Sequence, residues 1–114
     1  MGASQRRKGA AFERRVVFDL KEAGFEAKRN LDQYQQSDGR DITLDAPLCI
    51  QCKVGANPRW KAALREAEAS AGTDYPIAVT HEDRGYTVVH MNWHDFIEIL
   101  ALPDVRYALR KNGP

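Results

Sequence analysis

Phe12, Val16, Leu20 and Ala23 recur at three- and four-residue spacing, which predicts an amphipathic helix over residues 4 to about 23 with Gly24 as its stop. Residues 25–29 read as a strand. A polar stretch from Asn30 to Arg40 follows, long for so small a domain, and loops of that kind are commonly either functional or disordered. Residues 41–45 and 48–53 form two apolar runs joined tightly around Ala46-Pro47, the pattern of a hairpin. Asn57-Pro58 supplies an N-cap and a proline at the first helical position. Trp60, Ala63, Leu64, Ala67 and Ala71 then make an apolar stripe ending at Gly72, with Trp60 expected in the core. Residues 75–81 and 86–91 are two more strands around a Glu82-Asp83-Arg84-Gly85 turn, and residues 93–102 form a last amphipathic helix stopped by Pro103.

The resulting order is α-β-β-β-α-β-β-α. A helix between the third and fourth strands implies a crossover and at least one parallel pair. The expected fold is α/β, a small mixed central sheet flanked by helices. It forms one domain over residues 1–114, with 1–5 and 104–114 expected to be flexible.

Composition changes this picture little. A chain of 114 residues makes one domain with a modest core, and 43% hydrophobic with 29% charged residues is ordinary for a globular protein. No apolar stretch approaches the roughly 20 residues of a membrane span, and the basic N-terminus lacks the apolar region of a signal peptide. No membrane association and a cytoplasmic location are therefore expected.

Charge is more informative in its distribution than in its net value of +1. Residues 1–30 carry eight Lys/Arg against four Asp/Glu, whereas residues 31–90 carry six against nine. Such an asymmetry fits a basic end that meets phosphate and an acidic region that holds metal; a solvated basic tail is the alternative for Arg6-Arg7-Lys8. Cys49 and Cys52 have the C-x-x-C spacing, yet His81, His90 and His94 offer no matching zinc spacing. Inside a strand, an offset of three puts the two thiols on opposite faces, so they read as small buried side chains.

Four polar residues carry the chemistry. Gln51 and Lys53, two apart on one strand, share a face. With the turn centred on Ala46-Pro47, Asp41 falls opposite Gln51 or Cys52, so these groups converge. A hard divalent cation takes oxygen ligands, with Asp41 as principal carboxylate and the Gln51 amide oxygen and Cys52 backbone carbonyl beside it. Lys53 can then orient or deprotonate an attacking water, or neutralise charge developing on phosphate. Taken singly, Asp41 also reads as a turn residue, Lys53 as a solvated strand end and Gln51 as a surface polar group. Glu13 brings a carboxylate to the edge of the first helix's buried stripe. There it requires either a metal or an ion pair with Arg14, Arg15 or a sheet residue.

These residues resemble the PD-(D/E)xK nuclease superfamily, most closely its archaeal Holliday junction resolvase (Hjc-type) branch. Lys8-Gly9 followed by Phe12-Glu13-Arg14 resembles that family's opening helix, and Gly24-Phe25 through Lys28-Arg29 its first strand. Gly39-Arg40-Asp41-Ile42 stands where the family has its Asp and an apolar strand, and Gln51-Cys52-Lys53 resembles its Glu-Cys-Lys. The resemblance covers residues 6 to about 55 and implies a restriction-endonuclease-like fold. It also implies a catalytic set of Glu13, Asp41, Gln51 and Lys53 and a Mg²⁺ or Mn²⁺ cofactor, with Glu13 reaching the metal through a water. Arg7, Lys8, Arg14 and Arg29 would contact DNA phosphate, and Ser37 would lie in a loop near the scissile bond. A homodimer acting on four-way junctions would follow, since a two-fold dimer matches a nearly two-fold substrate. The chain departs from the family in having Gln51 where the family has Glu, and Arg40 where a proline often precedes the Asp.

Three expectations stay open: a resolvase; a nuclease of the same fold acting on flaps or single strands or nicking duplex; and a non-catalytic DNA-binding module with a decayed site. Lys61 and Arg65, four apart on the second helix, either line a phosphate track or form a solvated face. Tyr34 would be free to stack on an exposed base.

Overall fold

The computed structural model describes residues 2–30 and 39–111. Ser37 and Tyr34 lie outside the described residues. The chain runs α1 (Gly2–Glu22), β1 (Ala27–Arg29), β2 (Ile42–Leu44), β3 (Leu48–Gly55), α2 (Trp60–Ser70), β4 (Tyr75–Glu82), β5 (Thr87–His90), α3 (Trp93–Ala101) and α4 (Pro103–Leu109). The five strands form one mixed sheet in sequential order, β1-β2-β3-β4-β5. Among the described residues only β3 and β4 pair in parallel; β1–β2, β2–β3 and β4–β5 are antiparallel. The expected crossover is therefore α2.

β3 is the centre of the sheet and has apolar cover on both faces. Ile50 and Cys52 join Ile42, Ile77 and Val79 beneath Phe12, Val16 and Val17 of α1. Cys49 packs instead on Ala67 and Ala71 of α2. The small side chains of Ala63 and Ala67, both fully buried, let α2 lie close over β3 and β4. The two thiols are free, buried and on opposite faces, as their spacing implies.

Two helices, α4 and α2, differ from the sequence pattern. Pro103 does stop α3, but it also stands at the first position of the additional helix α4, where a missing N–H costs nothing. The second helix begins at Trp60, with Arg59 as an N-cap that makes no side-chain cap bond. Pro58 instead accepts the Trp60 N–H through its carbonyl at 3.0 Å, in a tight turn before the helix. Trp60 is not core: it is 40% exposed and lies flat on His90, ring centroids 4.9 Å apart. Its apolar spacing is helical, but the first residue of α2 overhangs the edge strand β5 rather than the centre of the sheet.

Arg40 fastens the end of the polar loop to the C-terminal end of α2. Its guanidinium donates to Asp74 Oδ2 at 2.7 Å and to the Ser70 and Ala71 carbonyls at 3.1 Å. A cation is favoured there, since the last carbonyls of a helix carry partial negative charge. This anchors the backbone immediately before Asp41.

Ile42 has no exposed surface and sits between α1 and β3. Ile42→Ala is expected to lower unfolding stability by about 2–5 kcal/mol, read as a lower urea midpoint with an unchanged slope.

Candidate metal centre

β2 runs antiparallel to β3 with Ile42 opposite Ile50, so Asp41 lies opposite Gln51. β2 ends there, and Asp41 extends the ladder with its own side chain. Its N–H donates to the Ile50 carbonyl at 3.3 Å, while its Oδ2 accepts the Cys52 N–H at 2.8 Å. A residue's N–H and C=O emerge on the same side of a strand, so the Cys52 carbonyl also leaves β3 beside Asp41. The second carboxylate oxygen, Oδ1, accepts no hydrogen bond from the described residues.

Burial pushes the Asp41 pKa up from 3.8 to about 6. The Cys52 N–H bond opposes the rise, Glu13 adds to it, Lys53 opposes it and Glu66 adds to it. Two neighbouring carboxylates and partial burial thus leave a carboxylate short of positive charge.

Gln51 is 4% exposed. Its Nε2 donates to the Gly39 carbonyl, which fixes the orientation of the amide, since a carbonyl accepts only from the N–H end. Among the described residues no donor reaches Gln51 Oε1. A buried acceptor left without a partner costs about 1–3 kcal/mol, and a cation would relieve it. Gly39 makes the approach possible: its φ is +84°, and a Cβ there would meet Ser70 Oγ at 3.0 Å.

Lys53 shares the Gln51 face by strand alternation. Its Nζ lies 3.5 Å from Glu66 Oε1 of α2, both side chains being partly exposed. These two residues line one groove of about 280 Å³ with Val54, Asn57, Pro58, Arg59 and Ala62. Glu13 is differently occupied. Its Oε1 accepts from Arg29 Nε at 2.9 Å in a mostly buried pair. Of the alternatives for this carboxylate, the structure selects the ion pair with a sheet residue. It stands next to the site, because Arg29 pairs with Ile42 across the β1–β2 ladder.

Asp41 thus meets the Cys52 backbone across the hairpin with Gln51 opposite it, while Lys53, two residues further on the same strand face, contacts Glu66. Among the described residues, no group of three His, Cys, Asp or Glu side chains is close enough to hold a metal. The available donors are a carboxylate oxygen, an amide oxygen and a backbone carbonyl. An all-oxygen set of this kind fits Mg²⁺ or Mn²⁺, which keep waters in the remaining positions.

The cations read as DNA contacts divide into two groups. Arg14 and Arg29 line a groove with Lys21, Lys28 and Phe18 along α1 and β1. Lys61 and Arg65 line another with Arg59 at the start of α2, and Lys61 also lies 5.6 Å from the Trp60 ring centroid. The second groove shares Asn57, Pro58, Arg59 and Ala62 with the groove holding Lys53. Arg7 is exposed on α1, whereas Lys8 is tied to Asp83 at 2.9 Å. Arg59 and Glu66 are site neighbours that the sequence pattern missed. On the helix they are ordinary polar residues, and only the crossover brings them over β3.

No family model, curated protein or solved structure matches this chain.

The fold holds the Asp41 proton more tightly than the unfolded chain does. The stabilisation from the neutral form is therefore complete below pH 3.8 and is lost as pH rises through about 6. In EDTA, Asp41→Asn is expected to melt above the wild type at pH 7–8, with the advantage shrinking towards pH 4. Thermal unfolding across this range checks it.

Proposed function

We propose that this protein is a Mg²⁺- or Mn²⁺-dependent endonuclease of restriction-endonuclease-like fold that acts on branched DNA, with the four-way junction as its principal substrate. The observation that carries the reading is the Asp41–Cys52 bond at the end of the hairpin. It sets a charge-deficient carboxylate beside a buried amide oxygen, with a lysine on the same strand face. Asp41, Gln51 and the Cys52 carbonyl would hold a divalent cation, which would supply Lewis-acid stabilisation to a phosphodiester and favour ionisation of water. Lys53 then directs the attacking water and offsets charge growing on the phosphate oxygens. Arg59, Lys61 and Arg65 beside that groove provide a track for the backbone of the same strand.

Gln51 favours a second reading. An amide in place of a carboxylate leaves the cation site with less negative charge, and a module that binds DNA without cutting it would tolerate that. The two readings separate in one assay. With Mg²⁺ or Mn²⁺, the wild type is expected to nick a synthetic four-way junction symmetrically and to leave matched linear duplex uncut. EDTA or Lys53→Ala should abolish nicking with junction binding retained. Cleavage of flaps or single strands would keep the site and change the substrate. Salt-dependent binding without any cleavage would support the binding module.

A homodimer belongs to this proposal. α3 and α4 have no fully buried residue, and Trp93 and Leu109 are 66% and 64% exposed. Apolar surface of this kind marks a site of association. Sedimentation is expected to report a dimer, and Trp93→Glu, which alters an exposed position, a folded monomer.

A further inference from the structure

Trp60 opens α2 with much of its ring in water. It is 40% exposed, and its ring lies parallel to His90, with the planes 6° apart and the centroids 4.9 Å apart. His90 is itself held in place. It pairs with Ala78 in the β4–β5 ladder, and its Nε2 lies 2.9 Å from Thr80 Oγ1. The edge strand therefore backs the indole from one side and sets its angle. Ala63 and Ala67 already bury the inner face of α2, so the indole is not needed to seat the helix.

The ring lines a groove of about 370 Å³ with Arg59, Lys61 and Arg65, and no carboxylate lines it. None of these three cations makes an ion pair among the described residues. The Lys61 Nζ lies over the indole, 5.6 Å from its centroid. Arg59 also lines the groove that holds Lys53, so the two grooves form one track. Phe18, 57% exposed in the cationic groove of α1 and β1, shares no lining residue with that track.

A cationic groove with one preset flat apolar face matches a polyanion that carries flat apolar rings. Nucleobases stack on aromatic side chains while their phosphates meet arginine and lysine. Inside a duplex each base is already stacked on its neighbours, so a base must leave the helix to offer a face. An acidic peptide would engage the cations and leave the indole uncovered.

We propose that Trp60 is a stacking platform for an unpaired nucleotide, with Arg59, Lys61 and Arg65 holding the adjoining phosphates of a single-stranded segment. The inference rests on the DNA reading above for the identity of the strand and extends it with a preference for unpaired bases on the track that leads to Lys53. Lys61 leaves the ring for a phosphate when a base takes its place.

Trp60 and Trp93 are the two tryptophans of the chain. Trp93→Phe, which keeps an aromatic ring on α3, leaves the indole emission to Trp60 alone. In EDTA, a short oligothymidylate is expected to quench that emission saturably, and a hairpin duplex at equal nucleotide concentration hardly at all. By anisotropy of a labelled oligothymidylate, Trp60→Leu should bind about tenfold more weakly. Trp60→Phe should recover most of that loss, with thermal unfolding as the check on folding. Unchanged emission, or Trp60→Leu binding as tightly as its parent, would overturn the proposal and make Trp60 a cover for β5. Equal quenching by the duplex would overturn it in favour of a backbone track without stacking. Equal quenching by polyglutamate would assign the groove to an acidic peptide, and tighter binding of oligouridylate would assign it to RNA. Junction nicking in Mg²⁺ without quenching would keep the nuclease reading and remove this one. Quenching without nicking of any substrate would do the reverse.

Discussion

The parallel pairing of β3 with β4 is the constraint on which the rest depends. Two adjacent parallel strands cannot be joined by a tight turn, so the chain must leave the sheet and return across one face. That return is α2. Its path covers Cys49 and Gln51, while α1 covers Ile50 and Cys52 on the other side. Once β3 is buried on both faces, its polar residues are confined to the end where β2 stops. Gln51 and Lys53 are held there, and Glu66 is carried to Lys53 by the same crossover.

At that end the chain accepts an electrostatic cost. Asp41 completes the β2–β3 ladder with a carboxylate rather than a backbone carbonyl, in a partly buried setting with Glu13 and Glu66 as like-charged neighbours. Arg29 neutralises Glu13 and Arg40 neutralises Asp74, but neither bond is directed at Asp41. The two arginines therefore fix the frame around the carboxylate and leave the carboxylate itself available. A partly buried carboxylate near like charges, and a buried amide oxygen with no partner among the described residues, oppose folding, and arrangements of that kind concentrate at functional sites.

The C-terminal helices show the limit of pattern reading. Phe96, Ile97 and Leu100 of α3 have the spacing of a core-facing stripe, yet the helix packs chiefly on α4 and keeps Phe96 and Ile97 exposed. Trp60 gives the same lesson, being on the stripe of α2 but stacked on the edge strand. Periodicity reports that one face of an element is apolar. It does not report whether this chain or another covers that face, and the proline read as the end of α3 also opens α4.

The sequence by itself determined the order of elements through α3, the crossover, the opposite faces of Cys49 and Cys52, and the placing of Asp41 opposite Gln51 with Lys53 on the same strand face. These follow from local rules: the two-residue period of a strand, the 3.6-residue period of a helix, and the register imposed by a short hairpin turn. Only the tertiary structure decided that Glu13 pairs with Arg29, that Arg40 clamps the end of α2, that the Gln51 oxygen has no partner among the described residues, and that Glu66 stands beside Lys53. Those relations join residues on different elements. Their distances are set by how small side chains let α2 approach the sheet, which no local period encodes.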